Sequence, residues 1–135
     1  MSRKLEGFGL ATPAGFVLLT VFLALIHSLL EEYYWRWFVF GWLRRLLPLL
    51  PALLLSSVAF MSHHVIILAV FFPGQFWTAT VPFSLAIAGG GFVWAWLYDR
   101  TGSLYAPWLS HLIIDLAIMA VGYDMVFAYR PPPAA

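Results

Sequence analysis

The sequence predicts an all-α, polytopic membrane protein of about four transmembrane helices, and three observations predict it. The chain is 63% hydrophobic and only 10% charged, whereas a soluble domain carries about 25% charge. Its mean hydropathy is +0.89. Its apolar runs are each about 20 residues long, the length that crosses a bilayer as a helix, and polar or Pro/Gly-bearing breaks separate them. The 135 residues accommodate four such runs and little else. One membrane domain is therefore expected: a polar lead over 1–10, a four-helix core over 11–128 and a proline-rich tail over 129–135.

The first helix is expected to start at Thr12-Pro13, with proline in the first turn. It runs apolar from Gly15 to Leu30 except for Thr20, His27 and Ser28, and continues as an aromatic-rich extension to Leu43. Arg44-Arg45 then marks a membrane surface. Pro48 and Pro51 break the chain, and the second helix is expected over Ala52–Phe72. Pro73-Gly74-Gln75 is a turn. A third helix is expected over Trp77–Tyr98, with a kink at Pro82 and close backbone approach at Gly89-Gly90-Gly91. Asp99 to Ser103 reads as a polar connection. The fourth helix is expected from Leu104 or Pro107 to about Ala128. Trp and Tyr gather near these ends, as interfacial belts do.

Charge and composition exclude several functions. A net charge of +1 leaves no basic surface for nucleic acid. With 0 cysteines there is no disulfide, no thiolate metal site and no cysteine nucleophile. Arg3 and Lys4 ahead of an apolar run look like the start of a signal peptide. No small-x-small cleavage site follows, and the run ends in Glu31-Glu32, so it is read as a retained span. Positive charge divides evenly between the two sides, with Arg44, Arg45 and Arg100 on one and Arg3, Lys4 and Arg130 on the other. The count alone assigns no orientation.

The ionisable residues inside the expected spans are few: His27, Glu31, Glu32, Arg36, His63, His64, His111 and Asp115, with Asp124 near the far end of the fourth helix. A carboxylate in apolar sequence is costly, so it is paired, neutralised or functional. Glu32 and Arg36 share a helical face and suit an ion pair, which leaves Glu31 for another task. Phe60 and His64, and His111 and Asp115, have the same spacing. At a rise of 1.5 Å per residue, Glu31, His64 and His111 come to similar depths, about 12–18 Å from one membrane surface. A buried glutamate suits general-base activation of water, and histidines suit sharing its proton or holding an oxyanion. No Gly-x-Ser-x-Gly turn and no lysine within a span supports serine catalysis. The same nitrogen and oxygen donors also suit zinc. His63 reads as a neighbour of the functional histidine, and His27 as a lesser polar partner on the Glu31 face.

These spacings resemble the CAAX-protease and bacteriocin-processing family of intramembrane proteases, also called the Abi family. Its motifs are Glu-Glu-x-x-x-Arg, Phe-x-x-x-His and His-x-x-x-Asn/Asp. They read here as Glu31-Glu32-Tyr33-Tyr34-Trp35-Arg36, Phe60-Met61-Ser62-His63-His64 and His111-Leu112-Ile113-Ile114-Asp115. Gly102-Ser103-Leu104-Tyr105-Ala106-Pro107 matches the lead-in to the last motif. The resemblance covers about Leu25 to Met119 and implies a glutamic-type endopeptidase. In it Glu31 activates water with His64, and His111 and Asp115 stabilise the oxyanion. Glu32 and Arg36 orient the site, and Phe60 shapes it by packing. It further implies a site open to the cytoplasm, and hence cytoplasmic first and third loops. No cofactor is expected; should a divalent metal such as zinc be used, Glu31, His64 and His111 would hold it.

The expected substrate is a membrane-associated peptide or protein tail, cut within or near the bilayer. The expected location is the cytoplasmic membrane of a prokaryote, with lipid as the surrounding partner. Two departures stand out. Trp37 follows Arg36 where the family commonly has glycine, and Asp115 replaces the commoner asparagine. Relatives usually carry additional flanking helices and this chain is close to the core alone: either the core suffices, or the chain pairs with a partner subunit or, as an oligomer, with a second copy, or a part is missing. Two rivals remain on the sequence alone. One is a non-catalytic binding, immunity or assembly subunit, in which Glu31→Gln leaves function intact. The other is a haem protein with His64 and His111 as axial ligands.

Overall fold

The computed structural model describes residues 12–128. The expected lead over 1–10 and tail over 129–135 lie outside the described residues. Four helices carry the chain: α1 (Pro13–Leu46), α2 (Leu49–Phe71), α3 (Phe76–Thr101) and α4 (Tyr105–Phe127). Each is long and apolar enough to cross a membrane, and no strand occurs among the described residues.

The helix ends follow local chemistry. Thr12 caps α1 by accepting from the Gly15 N–H at 3.1 Å, with Pro13 behind it in the first turn. Leu47 is extended (φ −130°, ψ 153°), the conformation imposed on a residue before proline, and it ends α1. α2 begins at Leu49, earlier than the expected Ala52. Pro51 lies in its first turn, where a missing N–H breaks no helical bond. α3 outruns its expected end at Tyr98. Asp99, Arg100 and Thr101 form its last turn, and Gly102 closes it at φ +63°, a left-handed cap open to glycine. Pro82 stands just inside the α-helical stretch that follows a π-helical turn at Phe76–Thr80.

α1 is not uniformly α-helical. Phe22–His27 and Tyr33–Phe40 are π-helical, and the short α-helical piece between them, Ser28–Glu32, holds both glutamates. Wide π turns are rare and recur at functional sites, because the extra residue per turn re-aims the side chains around it.

Two compact units are distinguished, one formed by the residues up to Leu29 with those from Ser110, the other by Leu30–Leu109. In the first, the buried Phe16 ring meets Tyr123 and Phe127 edge-on, both at 5.7 Å. In the second, α2 packs along α3 and against the latter part of α1. Its apolar centre is Phe40, Ala52, Leu53 and Ala95, flanked by Leu43, Leu47, Phe92 and Tyr98. Small residues bring α2 and α3 together. Ser56 and Ser57 are buried with their hydroxyls donating to the Leu53 carbonyl. A Cβ on Gly91 would meet the Phe60 ring at 3.0 Å and the Ser57 backbone at 3.5 Å. At one end of this unit Arg44 on α1 pairs with Asp99 on α3 at 3.0 Å. Large apolar side chains such as Leu54, Ile66 and Trp77 are exposed, as lipid-facing side chains are.

Candidate active site

The site in the Leu30–Leu109 unit is built on a buried ion pair. Glu32 Oε2 and Arg36 Nε lie 3.0 Å apart on α1, and both side chains are almost wholly buried, at 0% and 1% exposure. They meet as charges rather than along a hydrogen-bond line. The guanidinium is held instead by ring faces, with its Cζ 4.4 Å from the Phe60 centroid and 5.3 Å from that of Trp94. Phe60 is fully buried and also meets Trp35 and Trp94 edge-on. The aromatic box therefore fixes Arg36, and Arg36 fixes Glu32 one turn away.

Glu31, the preceding residue, turns to α2. Its Oε1 lies 3.2 Å from His63 Nε2 and 4.0 Å from His64 Nε2. The His64 ring is set by its other nitrogen, since Nδ1 lies 3.1 Å from the Phe60 carbonyl one turn earlier. With Nδ1–H donating there, His64 Nε2 keeps its lone pair on the Glu31 side. The expected proximity of Glu31 and His64 is thus found. Phe60 has two tasks, as its ring seats Arg36 and its carbonyl orients His64.

The sequence makes His63 a neighbour of the functional histidine, and in the structure it is the histidine nearer Glu31 Oε1. No motif of the resemblance includes it. The signal that could have found it is geometric: adjacent helical residues diverge by about 100°, so both can flank one group on a neighbouring helix.

The third motif lies in the other unit and forms a pair of its own. His111 Nε2 and Asp115 Oδ1 are 3.6 Å apart on α4, with His111 buried and Asp115 partly exposed. Its lead-in is structured. Thr101 Oγ1 donates to the Leu97 carbonyl, Ser103 Oγ accepts from the Tyr105 N–H at 3.3 Å, and Pro107 is buried in the first turn of α4. His27, on α1, lies tilted against Phe22 at 6.4 Å.

Among the described residues, the donors close enough to share a metal ion are Glu31, His63 and His64, all within 4.8 Å of one another. Two of the expected metal donors, Glu31 and His64, belong to that set, and His63 joins them. A distinct cavity of about 360 Å³ lies further along α1, lined by Trp37, Phe40, Arg44, Tyr98 and Asp99, and includes none of these donors.

The arrangement can hold a carboxylate beside two imidazoles, one oriented to accept and both fixed by aromatic packing. That is the equipment for taking a proton from water. A family model described as Type II CAAX prenyl endopeptidase Rce1-like matches residues 13–117. No curated protein and no solved structure matches the chain.

Proposed function

Since the chain belongs to the Rce1-like family of type II CAAX prenyl endopeptidases, we propose that it is an intramembrane endopeptidase whose base is Glu31. The observation that carries this is the Glu31 carboxylate on α1 facing His63 and His64 on α2, at 3.2 and 4.0 Å. A water about 2.8 Å from both Glu31 Oε1 and His64 Nε2, themselves 4.0 Å apart, would see them at roughly 90°, near its own bond angle. Such a water donates one hydrogen to the carboxylate and one to the imidazole, and its lone pairs are left for a carbonyl carbon. In the reaction its oxygen bonds to that carbon as Glu31 takes a proton. The C–N bond then breaks, and the proton passes to the departing amine.

The oxyanion role of His111 and Asp115 is carried over from the resemblance. The substrate class is a membrane-anchored peptide or protein tail, and the location is a prokaryotic cytoplasmic membrane. No metal is assigned a step.

The test is cleavage of a quenched fluorogenic peptide ending in a lipidated CAAX-type tail, by purified full-length protein in lipid nanodiscs. Glu31→Gln keeps the shape and removes the basicity. It is expected to lower kcat by at least about 100-fold with unchanged thermal unfolding. Cleavage by Glu31→Gln at the wild-type rate would remove Glu31 as the base, whereas no cleavage by the wild-type protein would assign this face to a non-catalytic binding subunit.

A further inference from the structure

We infer that His63 is a positioning residue that donates a hydrogen bond to Glu31 and holds the carboxylate for the water. The inference rests on the proposed role of Glu31 and adds a residue that none of the three motifs contains.

Three observations carry it. First, His63 Nε2 is within hydrogen-bond distance of Glu31 Oε1, at 3.2 Å, and His64 Nε2 lies 4.0 Å from the same oxygen. Second, packing fixes the ring. It stacks on Trp35 at 5.3 Å and 3°, meets the Phe60 edge at 5.5 Å, and lies beside the His64 ring at 4.0 Å. Trp35 is itself within the Glu-Glu-x-x-x-Arg segment, so α1 supplies both the carboxylate and the plate that aims its donor. Third, the other ring nitrogen settles the tautomer. His63 Nδ1 is buried and has no hydrogen-bond partner among the described residues. A proton there would be buried with no acceptor among the described residues while the Nε2 lone pair opposed a carboxylate oxygen. Placing it on Nε2 satisfies both groups and leaves a bare lone pair at Nδ1.

The two adjacent histidines then have opposite tautomers and complementary tasks. His64 is protonated at Nδ1 toward Phe60 and presents a lone pair. His63 is protonated at Nε2 and presents a donor. One orients the base, and the other completes the water site. Rotation of Glu31 about its own bonds is the motion that His63 prevents. A base misplaced by 1 Å loses about 100-fold in rate.

The experiment compares two variants of the full chain in nanodiscs. His63→Phe keeps a ring on Trp35 and removes the donor. His63→Gln keeps an N–H at a similar reach and removes the ring. The first readout needs no substrate: the infrared carboxyl band of Glu31, identified by its loss in Glu31→Gln. The expected result is a shifted band in His63→Phe and a return toward the wild-type position in His63→Gln. The second readout is cleavage of the lipidated fluorogenic peptide. His63→Phe is expected to lower kcat about 10- to 100-fold with KM nearly unchanged, and His63→Gln to recover most of it. An unmoved Glu31 band in His63→Phe overturns the inference, as does a folded His63→Gln as slow as His63→Phe. Failure of the catalytic reading is distinguishable. Glu31→Gln then cleaves at the wild-type rate, while the infrared band still reports whether His63 holds Glu31.

Discussion

Removing Arg36 would leave Glu32 buried without its counter-charge, because neither side chain reaches solvent. Breaking one half of a buried ion pair costs about 3–5 kcal/mol. Arg36→Ala is therefore expected to fold poorly, read as a lowered thermal unfolding midpoint in detergent. Replacing both partners, as in Glu32→Leu with Arg36→Met, should recover much of that loss, since the desolvation cost of the charges goes with them. If the double variant is as unstable as Arg36→Ala, the ion pair is not the cause. Arg36→Lys separates charge from shape. It keeps the cation but not the flat guanidinium over Phe60 and Trp94, and is expected to cost about 1–2 kcal/mol. A zinc chelator is expected to leave peptide cleavage unchanged. Loss of activity restored by added zinc would instead make Glu31, His63 and His64 the metal-holding set.

Between elements, the position that decides most is Gly91. Its missing Cβ is what lets α3 lie against Phe60 and Ser57 of α2. Phe60 cannot yield freely, since it is fully buried with Trp35, Trp94 and Arg36 against it. Gly91→Ala is therefore expected to destabilise by about 1–3 kcal/mol, as overpacking does, and to slow cleavage by shifting the residue that seats Arg36 and orients His64. Adding Phe60→Leu should relieve the overlap but not the lost rate, because the ring face goes with it. Wild-type stability in Gly91→Ala would show that the helices can separate at no cost. The three-glycine run was readable as a place of close approach. Which of the three glycines makes it was not, because Gly89 has open space at its Cβ direction and Gly91 does not. The π-helical segments of α1 were not readable either, since no residue type specifies them and packing decides where a turn widens.

For the whole molecule, the open question from charge was orientation. Within the Leu30–Leu109 unit, the Arg44–Asp99 pair ties the end of α1 to the end of α3, so the first and third loops share a side of that unit. Arg44, Arg45 and Arg100 lie at this end with Asp99, but Arg3, Lys4 and Arg130 balance them in the count, so we propose from the family resemblance, not from charge, that this side is cytoplasmic. The chain has 0 cysteines, so one introduced thiol reports by itself. Ser103→Cys is expected to react with a membrane-impermeant maleimide added from the cytoplasmic side, and Gln75→Cys from the other. The reverse pattern would turn the protein over and place the opposite loops in the cytoplasm.

Composition and run length were enough to determine an all-α protein of four membrane-spanning helices, because a bilayer admits few alternatives for so apolar a chain. Spacing was enough to bring out Glu32 with Arg36 and His111 with Asp115, since residues one helical turn apart must share a face. Motif order was enough to indicate the family. What spacing on one helix cannot encode is the partner on another. Only the packing of α2 against α1 decided that His63 Nε2 comes within 3.2 Å of Glu31 Oε1, inside the 4.0 Å at which His64 Nε2 stands from it. Only the aromatic box around Phe60 decided that Arg36 could be buried at all. Both outcomes depend on which faces meet, and that is a property of the assembled helices rather than of any one of them.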